Sequence, residues 1–229
     1  MAISIHPIKN SITTLYAIRG EGVILIDGGP ISNIKNFKRE LETASIEPGD
    51  IQLIILTHGH FDHIGSVKEM QELTGAKVLL HQEDMPLLVE TNPPLPAGIS
   101  SWGKIANILM RLVVPFIHTS LFEVDIVAGD EDYSLAEFGI PGKIVHTPGH
   151  TPGSISVLME GGEAFVGDLA MSMFPMRLTP GLPIFGYDMD VVINSWRKVL
   201  GYGLETIYPG HGKPFPASVM EKIVVNKRT

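Results

Sequence analysis

The stretch Ile51-Gln52-Leu53-Ile54-Ile55-Leu56-Thr57-His58-Gly59-His60-Phe61-Asp62-His63 decides how the chain is read. Its first six residues form an almost unbroken apolar run, the pattern of a strand covered on both faces. That strand delivers the chain directly into the histidines. In extended backbone, residues two apart point the same way, so His58 and His60 can present imidazoles to one point. Asp62 and His63 turn toward a second point as a helix begins. Four potential metal donors thus fall within six residues, a density that chance seldom produces.

Two further histidines follow predicted strands downstream: His150 in Thr147-Pro148-Gly149-His150-Thr151-Pro152-Gly153, and His211 in Pro209-Gly210-His211-Gly212. Asp168 closes another strand. Gly59, Gly149, Gly153, Gly210 and Gly212 flank these donors and let backbone approach closely. Imidazole and carboxylate together suit zinc, iron or manganese. A structural zinc site closes with four ligands, usually including thiolates, whereas this chain offers seven nitrogen and oxygen donors and no cysteine. Seven is too many for one ion, which points to two divalent ions, zinc first, with iron or manganese as alternatives. His6, His81, His118 and His146 lie outside the pattern and read as ordinary hydrogen-bonded histidines.

Composition narrows the classes. Without a thiol there is no disulfide, iron–sulfur cluster or cysteine nucleophile. With 17 Lys+Arg against 25 Asp+Glu the net charge is −8, which predicts no nucleic-acid partner and no anionic membrane. The first residues lack a basic region leading into an apolar one, and Ile105 to Ile117 is short and broken by Arg111 and Pro115. The expectation is a cytoplasmic protein with no membrane partner and a small-molecule substrate, an apolar group on that substrate being compatible with the sequence.

Outward from the central stretch, strands are predicted over Ala2–Ile8, Ile12–Ile18, Val23–Ile26, Lys77–Leu80, Asp125–Val127, Gly142–His146, Ser154–Met159, Ala164–Val166 and Thr206–Tyr208. Helices are predicted over Ile31–Ala44, Ile64–Leu73, Met189–Leu200 and Ala217–Val225, with Gly75 as a stop. Strands cluster and helices fall between the clusters, so two sheets stacked face to face with helices outside are expected. The chain reads as one domain, 1–229, with an inserted segment at about 85–122. That segment opens on Pro93, Pro94 and Pro96 and continues with helical spacing through Ile105, Ile108, Leu109, Leu112, Val113 and Phe116. The 105–116 helix reads either as a lid or as the contact of a homo-oligomer.

Thr-His-Gly-His-Phe-Asp-His resembles the T-H-x-H-x-D-H signature of the metallo-β-lactamase-fold superfamily. Thr147–Gly153, Gly167-Asp168 and Pro209–Gly212 are similar to its later motifs and come in the same order. The resemblance implies an α+β fold, a four-layer αββα sandwich of two mixed sheets. It assigns His58, His60 and His150 to one metal and Asp62, His63 and His211 to the other, with Asp168 bridging. Asp27, in Leu25-Ile26-Asp27-Gly28-Gly29, resembles the early aspartate that supports the ligand loop; as a turn residue before glycines it is equally well explained.

The implied activity is hydrolysis of a thioester, ester or lactone by hydroxide held between the ions, with Asp62 handling the proton. Asp62 with His63 looks like the glyoxalase II and general hydrolase branch, although only Lys213 to Thr229 follows His211, where glyoxalase II has a glutathione-binding extension. Leu169, Ala170 and Met171 stand where acyl-homoserine lactonases place a tyrosine. A mononuclear iron persulfide dioxygenase and a non-catalytic metal-binding protein are the alternatives. Met171, Met173, Phe174, Phe185 and Tyr187 are candidates for an apolar substrate wall, with packing against the inserted segment as the competing reading.

Overall fold

A computed structural model describes residues 3–31, 34–89, 98, 101–113, 119–174 and 177–227. The first sheet is built by β1 (Ser4–Asn10), β2 (Thr13–Arg19), β3 (Val23–Ile26), β4 (Ile51–Ile55), β5 (Lys77–His81) and β6 (Ile126–Ala128), in that order. The second sheet is built by β7 (Tyr133–Ser134), β8 (Gly142–His146), β9 (Ile155–Met159), β10 (Glu163–Gly167), β11 (Thr206–Pro209) and β12 (Phe215–Pro216). Both sheets are mixed. Strands β1 to β3 pair antiparallel and β3 to β6 parallel, while in the second sheet only β10 and β11 run parallel.

The helices are α1 (Ile34–Thr43), α2 (Phe61–Ile64), α3 (Val67–Thr74), α4 (Met85–Val89), α5 (Ser101–Val113), α6 (Met189–Leu200) and α7 (Ser218–Asn226). The alternation in β4 shows how the layers form. Leu53 and Ile55 enter the core between the sheets with Ile24, Ile26, Val157 and Phe165, whereas Ile54 and Leu56 pack with Phe37, Leu41, Val67 and Met70 of α1 and α3. On the far side, Val145, Leu158 and Ile207 of the second sheet pack against Trp196 of α6 and Met220 of α7. The chain is therefore the four-layer αββα sandwich expected.

Several boundaries differ from the sequence reading. The first strand runs to Asn10 because the hairpin turns at Ser11 and Ile12, with Ser11 at φ 60 and Asn10 paired to Thr13. The helix read over Ile64–Leu73 is two helices, α2 and α3, separated by Gly65 and Ser66. Gly75 does end α3, in left-handed backbone, with its N–H donating to Gln71 O at 2.8 Å. Strands β7 and β12 are two residues each, too short for any alternation to reveal. Helix α5 begins earlier than read, at Ser101. Ala2, Pro93, Pro94, Pro96, Phe116, Ile117, His118 and Met176 lie outside the described residues.

Candidate metal centre

The donors sit at the C-terminal ends of β4, β8, β10 and β11, where the two sheets open together. All seven predicted side chains meet there, two groups of three and Asp168, and His58 also falls together with His63 and Asp168. In the first, His60 Nδ1 lies 3.0 Å from His150 Nε2, and the His58 ring stands edge-on to both. In the second, His63 Nε2 and His211 Nε2 are 3.4 Å apart, and Asp62 Oδ2 is 3.2 Å from His211 Nε2. Asp168 stands between them. Its Oδ1 lies 3.3 Å from both His63 Nε2 and His211 Nε2, and its Oδ2 faces His150 Nε2 at 3.7 Å.

The rear nitrogens explain why the front ones point inward. His150 Nδ1–H donates to Phe185 O at 3.0 Å and His211 Nδ1–H donates to Ile12 O at 2.8 Å, so both Nε2 atoms carry lone pairs toward the centre. His63 Nδ1–H donates to Asp27 Oδ2 at 2.9 Å. Thr57 Oγ1–H donates to Asp27, which leaves the hydroxyl oxygen to accept from His58 Nδ1 at 3.1 Å. Lone pairs facing one another at 3.0–3.4 Å repel unless a proton or a cation lies between them. Two donors each about 2.1 Å from a tetrahedral ion stand roughly 3.4 Å apart, so the spacing suits a shared ion. His58 Nε2 and Asp168 Oδ1 are buried and make no hydrogen bond, an unmet demand of the same kind.

Asp27 is buried beneath the donors. Its carboxylate accepts from Thr57 N at 2.8 Å, from Thr57 Oγ1 and from His63 Nδ1, joining the start of the ligand loop to the start of α2. Its backbone is left-handed, φ 63, which an aspartate tolerates only when surroundings hold it there. Gly210 is needed for space: a Cβ there would stand 2.6 Å from His63 Cε1 and 3.0 Å from Asp168 Oδ1.

One residue escaped the sequence reading. Asp84, buried after β5, accepts from Gly59 N (2.8 Å), Thr151 Oγ1 (2.7 Å) and Gly153 N (2.7 Å). It ties the loop of His58 and His60 to the loop of His150, the three members of the first group. Nothing in its spacing announces this, since an aspartate ahead of a short helix is ordinary.

Electrostatics separate the two groups. Burial, followed by the neighbouring imidazoles, drives His58 well below its ordinary value and His60 down to about 3. Burial also lowers His150. Burial works against charge on His63 too, but Asp27 and Asp168 outweigh it and hold His63 up at about 10; Asp168 and Asp62 raise His211 likewise. Burial would raise Asp62 and Asp168, yet the His211 hydrogen bond brings Asp62 to about 2, and the charges of His211 and His63 hold Asp168 well below the carboxylate range.

This sets a pH dependence for the metal-free protein. The His63 contribution is complete below the ordinary 6.5 and is lost as pH rises through about 10, while the carboxylate contributions are lost only as pH falls below the ordinary 3.8. Thermal unfolding in chelator is expected to show a melting temperature that declines between pH 6.5 and 10. A flat profile over that window contradicts the ion-pair network.

The apolar wall candidates divide. Met171 is buried and offers a substrate no surface, while Met173 and Phe185 are half-buried and Phe174 and Tyr187 exposed. His81 and His146 form a further triple with Asp130, their Nε2 and Nδ1 lying 3.4 and 3.0 Å from its Oδ1. Their rings stack at 4.0 Å and 14°, so their in-plane lone pairs cannot converge on one ion. Moreover His81 Nδ1 accepts from Glu83 N, leaving the proton on Nε2. These two remain hydrogen-bonded histidines.

The family model of the metallo-beta-lactamase superfamily matches residues 10–211, and the chain belongs to that superfamily. Probable metallo-hydrolase YflN of Bacillus subtilis (strain 168) is 28% identical, over 93% of this chain and 85% of its own. The metallo-beta-lactamase family protein TTHA1429 of Thermus thermophilus superposes with a TM-score of 0.69 at 18% identity, over 99% of this chain and 79% of its own. The protein TTHA1623, solved in a di-iron-bound form, superposes with a TM-score of 0.65 at 24% identity, over 93% and 95%.

Proposed function

We propose that the chain is a dinuclear metal-dependent hydrolase of thioesters, esters or lactones, akin to the glyoxalase II and general hydrolase branch. The observation that carries this reading is the position of Asp168, one oxygen toward each group of donors. His58, His60 and His150 would hold one ion, and Asp62, His63 and His211 the other. The donor chemistry fits zinc, iron or manganese, and the di-iron form of TTHA1623 supports iron as a candidate. Two such ions supply an activated water and polarise the carbonyl under attack.

The chain's own groups do the rest. Asp62, with 15% of its side chain exposed against 6% for Asp168, is the more accessible of the two donor carboxylates. It takes the proton of the attacking water and returns it to the leaving group. Asp27 keeps the His63 proton on Nδ1, and the carbonyls of Phe185 and Ile12 do the same for His150 and His211, so the inward nitrogens stay free to donate electrons. Met173, Phe174, Phe185 and Tyr187 belong to the loop that gives Phe185 O to His150 Nδ1 and would receive an apolar substrate group.

Metal analysis of protein purified without added metal, followed by an ester, thioester and lactone panel, tests the reading. Two metal equivalents per chain and a turnover lost in His58→Ala support it. One iron per chain with oxygen uptake on a persulfide overturns it, as do two metals with no turnover anywhere on the panel.

A further inference from the structure

Three consecutive residues at the β1–β2 turn bond to the two loops that carry Asp62 and His211. Ile12 O accepts from His211 Nδ1–H at 2.8 Å, Thr13 Oγ1–H donates to Asp62 O at 2.9 Å, and Thr14 N–H donates to Gly210 O at 2.8 Å. Asp62 follows β4 of the first sheet and His211 follows β11 of the second, so the hairpin tip ties together two loops of different origin. The ribbon that carries the tip is itself well defined, since β1 and β2 pair without a break from Ser4 with Arg19 to Asn10 with Thr13.

Of these three contacts, that of Thr13 alone depends on a hairpin side chain, because Ile12 and Thr14 act through backbone groups that any residue other than proline supplies. It also falls where a hold is needed. Helix α2 is a single turn of four residues, its internal bonds running from His63 N and Ile64 N to His60 O at 2.9 and 3.1 Å, and so short a turn is not stable alone. Donors from outside set its tilt by taking neighbouring carbonyls: Gly28 N reaches His63 O at 2.7 Å, and Thr13 Oγ1 reaches Asp62 O. His63 is held a second time, through its ring, by Asp27. The 3.2 Å between Asp62 Oδ2 and His211 Nε2 then follows from where the hairpin sets the two backbones. Thr13 is buried, which keeps water from taking over the bond of its hydroxyl.

We propose that Thr13 is the positioning residue for Asp62, and that the hairpin tip closes the group of Asp62, His63 and His211 as Asp84 closes the group of His58, His60 and His150. Asp84 joins the His58–His60 loop of the first sheet to the His150 loop of the second. Thr13, with the carbonyl of Ile12 beside it, joins the Asp62 loop to the His211 loop in the same way. The two groups therefore have separate holds, and releasing one leaves the other in place. The consequence for metal binding rests on the dinuclear hydrolase reading, whereas the consequence for the loops of the metal-free protein does not.

Thr13→Val keeps the branched shape that suits a strand and removes the hydroxyl, while Thr13→Ser keeps the hydroxyl. Amide hydrogen exchange on the full chain in chelator is expected to show His63 and Ile64 exchanging about tenfold faster in T13V. Gly59 and Gly153, whose amides are held by Asp84, should exchange as in wild type, and T13S should restore protection to His63 and Ile64. In metal titration the second equivalent should bind about 10–100-fold more weakly in T13V, with the first unchanged. A T13V protein whose four amides all exchange alike, whether faster or as in wild type, overturns the proposal. So does a second ion held as tightly in T13V as in wild type, or a T13S that loses as much protection as T13V, since the methyl group and not the hydroxyl would then matter. Wild-type protein that takes up a single ion overturns the dinuclear reading instead, and the exchange measurement still decides the role of Thr13.

Discussion

An Asp168→Ala variant is expected to lose about 10³-fold or more in kcat/KM on the best substrate of the panel and to retain at most one metal per chain. Asp168 faces both groups of donors, with Oδ1 3.3 Å from His63 and His211 and Oδ2 3.7 Å from His150. Removing it takes a donor from each group at once. Losing one well-placed donor to a developing charge typically costs 10²–10³-fold, and a shared donor sits at or above the top of that range. Asp168→Asn separates charge from shape: it keeps one oxygen but loses the anion that balances His63 and His211. It should hold metal more weakly than wild type and better than alanine. Elemental analysis and steady-state kinetics on the same preparations check both. A fully active Asp168→Ala enzyme with two metals would remove the ground for a dinuclear centre.

The strands that place these donors are legible because burial on two faces leaves a strong mark. Ile51–Leu56 could be read as an inner strand since Leu53 and Ile55 enter one core and Ile54 and Leu56 another, which requires nearly every position to be apolar. The density of His58, His60, Asp62 and His63 is legible for a different reason: solvent-exposed loops gain nothing from such a run, so only a shared task explains it. Illegible features depend on contacts distant in sequence. The hairpin tip supplies Ile12 O to His211 and Thr13 Oγ1 to the Asp62 carbonyl, and no local pattern encodes a contact made with a loop far along the chain. Helical periodicity found α5 but could not say which face turns outward. That choice is made by Gly103 and Asn107, whose small and polar side chains allow close approach to the fold, and it inverts the usual rule that the aliphatic face goes in.

Asp84→Ala should be the most damaging change outside the donors themselves. The carboxylate is buried and takes three hydrogen bonds, from Gly59 N, Thr151 Oγ1 and Gly153 N. Hydrogen bonds to a charged group contribute about 1.5–3 kcal/mol each, and each buried donor left unpaired costs about 1–3 kcal/mol. Alanine therefore destabilises the metal-free protein by about 3 kcal/mol or more, a large part of the stability of an ordinary domain. The consequence for the centre is selective. With the clamp gone, the His58–His60 loop and the His150 loop separate, and metal affinity at that group should fall about 10–100-fold, the usual effect of losing a group that orients a ligand. His63 and His211 are held instead by Asp27 and Ile12 O, so the other group should bind as before. Asparagine is the informative control. Its amide oxygen can still accept from Gly59 and Thr151, but its NH2 then meets the Gly153 N–H, so two of the three hydrogen bonds survive. Asp84→Asn is accordingly expected between alanine and wild type, in urea unfolding under chelator and in metal titration alike. Wild-type affinity at both groups in Asp84→Ala would show that the two loops hold their positions without the carboxylate.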